Sequence, residues 1–235
     1  MTSTARTARV AGVLYFLSAV AEGVPILYVP GALIVDGDAA ATAEKIRASE
    51  TLFRAGIASE LVGAVLLLFV AGLLYRLLHR IDEVQASLMV AFVLVSVPIA
   101  FVNVLSEIAA LTLVRGAGVL AAIHSPERNA LAMFFLDLHA SGVSITNVFW
   151  GLWLVPFGIL VFKSRTLPRI LGAWLVADGL ALVIVSFTAL LVPAQLETVS
   201  RFAILPETGE LWIMLWLSIF GMKPQSGFAG YAGSA

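Results

Sequence analysis

Hydrophobic positions along the chain fall in long runs rather than in short amphipathic stretches. A helix crosses the hydrocarbon core of a bilayer with about 20 predominantly apolar residues, and six segments reach or approach that length. The first is Ala8 to Val29, broken only by Glu22; the second is Thr51 to Leu78, uncharged from Leu61 to Tyr75. The third, Val84 to Val114, is uncharged up to Ser106, and the fourth, Ala130 to Phe162, has only the neutral His139 after Asp137. The fifth, Ile170 to Leu191, carries Asp178; the sixth, Gly209 to Met222, is short, and whether it spans fully is open. Between the first two spans lies a polar stretch, Asp36 to Glu50, in which Asp38 is placed to cap a short surface helix over Ala39 to Ala48. The pattern predicts an all-α, polytopic transmembrane bundle of about six helices with a short extracytoplasmic surface helix. It forms a single domain over residues 1–222, with a flexible tail over 223–235.

Composition sharpens this picture. Of 235 residues 60% are hydrophobic and 12% charged, and mean hydropathy is +1.01. A soluble domain carries roughly 25% charged residues, so the surplus apolar surface has to face lipid. Lys and Arg (14) nearly balance Asp and Glu (15), and no basic stripe suggests nucleic acid as a partner. Cysteine is absent, which excludes disulfides, thiolate metal sites and a cysteine nucleophile. Arg6 and Arg9 ahead of an apolar run resemble a signal peptide, but the small residues at Ala39 to Ala41 lie too far along for cleavage, so the first segment reads as a retained helix.

Orientation follows from Lys and Arg near the span ends. With the N-terminus inside, the inner set is Arg6, Arg9, Arg76, Arg80, Lys163, Arg165, Arg169 and Lys223; the outer set is Lys45, Arg47, Arg54, Arg115, Arg128 and Arg201. The bias favours both termini in the cytoplasm. It strengthens because the outer positives have acidic neighbours.

Polar residues inside the spans are the candidates for function, because an ionisable group at membrane depth normally faces a bundle interior or a wet cavity. On this topology Glu22, Arg54, Glu60, Glu107, Arg115, Asp137 and His139 all fall in the outer half, with Glu207 and Glu210 at the outer start of the sixth span and Asp178 near mid-membrane. Helical spacing puts Tyr15, Ser18 and Glu22 on one face, and Ser96, Asn103 and Glu107 on another. Asp137 and His139, two residues apart, point about 200° from each other, which argues against a joint metal site. The candidate ligand-binding pocket is Glu22, Arg54, Glu60, Asn103, Glu107, Asp137 and His139, opening outward, with Arg54 and Arg115 as charge partners. The alternative is a set of interhelical hydrogen bonds that only hold the bundle together. No catalytic residue, metal or cofactor is assigned. A zinc site wants three His, Asp or Glu ligands, and His139 with Glu107 and Glu60 or Glu22 supplies them only if the helices converge.

Other features read as structure. Pro25, Pro98 and Pro156 should kink their spans. Gly151 and Gly158, like Gly172 and Gly179, repeat at seven residues and mark close helix packing. Trp150, Trp153, Trp212 and Trp216 serve as packing or interface anchors. No HExxH, GxSxG or phosphate-binding loop is present.

The start ARVAGVLYFLSAV, the segment LFRAGIASELVG and the block VFWGLWLVPFGILVFKSRTLPRILG resemble the bacterial membrane family catalogued as domain of unknown function 4386. The block is carried by Phe149, Gly151, Leu152, Gly158, Ser164, Leu167, Pro168, Ile170, Leu171 and Gly172, and the resemblance covers about residues 8 to 190. It implies a multi-pass protein of the bacterial cytoplasmic (inner) membrane and transfers no catalytic residue. Three functions stay open: a pocket that binds or transports a small ligand or protons, a structural or assembly subunit of a membrane complex, and a membrane-embedded enzyme, with or without a metal, acting on a lipidic substrate. The lipid bilayer is the one definite partner; a small-molecule or ion ligand and a homo-oligomer are open.

Overall fold

The computed structural model describes residues 3–222; the expected flexible tail, 223–235, with Lys223, lies outside them. The chain runs as α1 (Ser3–Gly23), a π-helical segment (Val24–Tyr28), α2 (Val29–Leu33), α3 (Ala39–Ala48), α4 (Glu50–Leu78) and α5 (Glu83–Arg115). It continues as α6 (Ser125–Ser164), α7 (Arg169–Leu191), α8 (Leu196–Ala203) and α9 (Gly209–Ile219). The described residues contain no strand.

Among the described residues, five helices are long and apolar enough to cross a membrane: the continuous 4–33 unit, α4, α5, α6 and α7. This makes the chain a multi-pass membrane protein. The 4–33 unit stays helical through Pro25 by widening into the π turn, a usual accommodation for a proline that leaves a carbonyl without its partner.

The sixth crossing is broken. Chain 193–203 and chain 206–219 meet at a 53° bend. From the end of α7 the chain returns along α7 through α8, and a 3₁₀ turn at Pro206–Thr208 leads into α9. The Trp174 indole N–H donates to the carbonyls of Leu205 and Pro206, each at 3.2 Å, and so satisfies acceptors that the break frees. α9 then packs antiparallel on α1, where a Cβ on Gly12 would lie 2.5 Å from the Ser218 nitrogen and one on Gly221 2.9 Å from the Ala5 carbonyl. Both described ends of the chain therefore lie at one end of the bundle, here the near face. The Arg9, Gly12, Tyr15 stripe is the seam that receives α9.

The turns on the near face are tight. Asp82 caps α5 by accepting from the Gln85 N–H (3.1 Å) and takes a 2.8 Å hydrogen bond from Lys163 of α6, joining the two turns. The Lys163 ammonium, and after it the Gln85 N–H, hold the Asp82 carboxyl below its ordinary value. A lowered carboxyl stabilises the fold fully above the unfolded value of about 3.9, and loses that contribution as pH falls through the lowered folded value. Thermal melts in detergent are expected to lose stability below about pH 4, and less so in Asp82→Asn, which keeps the cap and drops the charge. Equal acid limbs in both proteins would refute this.

On the far face the Asp38 side chain accepts from the Ala41 N–H at 2.9 Å, starting α3, whose Thr42, Ala43 and Ile46 are buried. Two apolar cores fill the bundle. The near-face core centres on Trp153, Phe157, Leu160 and Leu74; the far-face core on Ile46, Phe53, Leu111 and Leu136. α6 and α7 meet through glycine on both sides: Gly151 faces Gly179 and Gly158 faces Gly172, each so close that an added Cβ would fall 2.5–2.6 Å from the partner carbonyl. The seven-residue spacing predicts this seam.

Candidate functional site

A polar layer separates the two cores. On α4 Glu60 falls between Ile57 of the far core and Ala64 of the near one; on α5 Asn103 falls between Val97 and Val104; on α6 His139 and Thr146 fall between Leu136 and Trp153. At about 1.5 Å per residue, Glu60 stands about 27 Å from Leu78, Glu107 about 36 Å from Glu83, and His139 about 37 Å from Ser164 along their helices. The layer thus lies toward the far face.

Three helices bring their ligand-type side chains together there. One atom each from Glu60, Glu107 and His139 lie within 4.8 Å of one another. His139 Nε2 is 3.7 Å from Glu60 Oε2 and 3.9 Å from Glu107 Oε1. Glu60 (4% exposed) and Glu107 (5%) are buried, and Oε2 of each has no hydrogen-bond partner. The far side of the imidazole is held by Asn103, whose amide nitrogen lies 3.1 Å from Nδ1 and donates to the His139 carbonyl at 3.0 Å. Its main-chain oxygen is 3.5 Å from Nδ1. With Nδ1 engaged, Nε2 is the ring nitrogen that meets the carboxylates. Asn103 itself fits because residue 142 is glycine: a Cβ there would collide with the Asn103 amide.

An almost wholly apolar groove of about 220 Å³ reaches this cluster between the π segment and α6. Pro25, Val29, Phe53 and Leu136 line it, with Glu107 and His139 also on its wall.

Of the residues expected in one pocket, the structure gathers Glu60, Asn103, Glu107 and His139. Glu22 lies against Gly63, one turn nearer the near face than Glu60, and faces a second cavity with Tyr15 and Glu210. Arg54 and Arg115 are not partners of the cluster. Arg54 pairs with Glu50 at 2.7 Å, Arg115 approaches the same carboxylate at 3.8 Å, and both edge a separate cavity of about 440 Å³ between α4 and α5. Asp137 is exposed on the outside of α6, as its angle from His139 requires. Glu210 is placed differently from the sequence expectation. It sits deep in the bundle, where its N–H donates to Asp178 at 2.9 Å and its carboxylate accepts from the Tyr15 hydroxyl. The expectation put Glu210 at the outer start of the sixth span and left open whether that span is complete, whereas α9 covers only the near half of a broken one. The shortness of the last apolar run, with Pro206 just before it, is the signal that marks a half-helix.

Comparison with curated proteins and with solved structures gives no match. Residues 10–221 match the family model described as a domain of unknown function, DUF4386, and the chain belongs to that family.

Proposed function

We propose that this membrane protein binds a divalent metal ion at Glu60, Glu107 and His139. The observation that carries the reading is the convergence of three ligand-type groups from three helices, two of them buried carboxylates with an oxygen left unpartnered. Buried carboxylates normally find a partner, and a cation supplies one. Ligands about 2.0–2.1 Å from a tetrahedral zinc stand about 3.4 Å apart, so the 3.7 and 3.9 Å edges need contractions of about 0.3 and 0.5 Å. The edge between the carboxylates, within 4.8 Å, needs at most about 1.4 Å. In this reading the ring proton sits on Nδ1 and turns toward the Asn103 main-chain oxygen at 3.5 Å, the outer-shell arrangement usual for metal-bound histidine. Mixed carboxylate and imidazole ligands suit Zn²⁺, Mn²⁺ or Fe²⁺.

Three protein ligands leave coordination positions free, which is the mark of a working rather than a structural site. The positive-inside bias makes the far face the outer one. A bound divalent ion would polarise an oxygen of the substrate or activate a water. The apolar groove on which Glu107 and His139 lie fits the hydrocarbon part of an amphiphile, so metal-dependent chemistry on a lipidic substrate is the role we favour. Transport of the ion is a second reading, supported by the broken sixth crossing, since discontinuous helices recur at transporter sites.

The test is elemental analysis of protein purified without chelator, followed by back-titration after chelation. About one divalent ion per chain is expected in the wild type, and none in a folded Glu60→Gln/Glu107→Gln protein. A wild type that binds no Zn²⁺, Mn²⁺ or Fe²⁺ at micromolar free metal would overturn the assignment.

A further inference from the structure

A second polar site lies deeper, at the break in the sixth crossing. Asp178 stands about 13 Å from Arg169 along α7, and Tyr15 about 18 Å from Ser3 along α1, near the middle of a core about 30 Å thick. Asp178 Oδ2 caps the start of α9 by accepting from the Glu210 N–H at 2.9 Å. The approach is close because residue 209 is glycine; a Cβ there would lie 3.0 Å from Oδ2. Tyr15 donates its hydroxyl to Glu210. Asp178 is 1% exposed and its other oxygen, Oδ1, has no hydrogen-bond partner among the described residues. Glu22, 9% exposed, lines a cavity of about 220 Å³ with Tyr15, Trp153 and Glu210, and its Oε1 is also unpartnered.

The charged and titratable groups that face this site are nearly all acidic. α1 offers Tyr15 and Glu22, the break Glu207, α9 Glu210, and α4 Glu60, one turn beyond Gly63. α6 presents Trp150 and Trp153. Arg9 lies two turns away on α1, against Gly221 at the other end of α9. Neighbouring carboxylates in a water-poor interior, with no cation between them, cannot all ionise. The α9 N-terminus favours an anion at Asp178, which leaves Glu210 as the neighbour that must share a proton.

We propose that the break in the sixth crossing is a proton-binding site in the middle of the membrane, in which Asp178 and Glu210 hold one proton between them beside Tyr15. The site shares none of Asp178, Glu210 and Tyr15 with the Glu60–Glu107–His139 cluster; Glu60 bears on it through Glu22. The cavity faced by Glu22 is mostly apolar, and Tyr15, Ser18, Glu22 and Glu210 on its wall are the polar groups past which the proton enters and leaves.

Infrared spectroscopy of the full chain in lipid nanodiscs tests this through the carbonyl stretch of protonated carboxyl groups, followed as pH is raised. The wild type is expected to show a protonated-carboxyl band at neutral pH that disappears at higher pH. Asp178→Asn, which keeps a capping oxygen for α9, and Glu210→Gln should each remove at least about half of its intensity. Two variants guard against one failing to fold, with gel-filtration profile as the check. No band at neutral pH, or a band intact in both folded variants, overturns the proposal. Loss of the band on adding sodium at constant pH overturns it in favour of a sodium site.

Discussion

A leucine in place of Gly172 is expected to prevent α6 and α7 from closing, leaving a protein that aggregates or elutes as a broad peak in mild detergent. A Cβ at this position would stand 2.6 Å from the Gly158 carbonyl oxygen and 2.6 Å from the Phe162 nitrogen. Both are backbone atoms, so no side chain can rotate to make room. The helices must separate instead, and the second rung, Gly151 against Gly179, opens with them. Membrane helices associate mainly through close packing of this kind. Overpacking a filled interior costs about 1–3 kcal/mol and sometimes more, and displacement of a whole seam puts this substitution at about 3 kcal/mol or above. Gly72→Leu is the control, since nothing lies within 4 Å of the space its side chain would enter. If Gly172→Leu melts at the same temperature as Gly72→Leu, the seam does not hold the bundle.

The second large effect is expected on metal affinity. His139→Ala removes the one imidazole from the cluster and should weaken binding by more than about 100-fold, because loss of an outer-shell partner alone typically costs about 10–100-fold. Asn103→Ala removes the amide that braces His139 through its carbonyl but keeps the main-chain oxygen beside Nδ1, so it should weaken binding less than His139→Ala. Asp137→Ala should change nothing: Asp137 is two residues from His139 but exposed on the other side of α6. Competition with a chelating dye gives all three affinities. The ordering fails if Asp137→Ala weakens binding as much as His139→Ala, or if His139→Ala binds as tightly as the wild type.

The five long crossings are legible in the sequence because lipid leaves no choice: a segment that spans must be apolar over its whole length, and Thr51 to Leu78 or Ile170 to Leu191 have no other reading. The glycine repeats likewise mark close packing in the sequence, while the pairing of Gly151 with Gly179 and Gly158 with Gly172 comes from the structure. The site was legible along each helix but not between helices. The spacing of Asn103 and Glu107, or of Tyr15, Ser18 and Glu22, fixes a shared face; it does not say which neighbouring helix that face meets. Asp137 matches the site residues in depth and differs from them in direction, whereas Arg54 lies about 9 Å nearer the far face than Glu60 along α4. For Asp137 the angle from His139 was in the sequence, whereas for Arg54 the capture by Glu50, four residues earlier, competes with any deeper partner. Glu210 was misplaced because apolar content measures length in lipid and not continuity: Leu211 to Ile219 is equally hydrophobic as the end of a full helix or as half of a broken one.

The depth of the α7–α9 contact has an electrical consequence. Moving one elementary charge across the whole bilayer is worth about 2.3 kcal/mol per 100 mV. A cation that enters from one face and stops beside Asp178, near half-depth, therefore works against about half the field, or about 1.2 kcal/mol per 100 mV. That is a change of about sevenfold in occupancy, so the membrane potential itself becomes a ligand of this site.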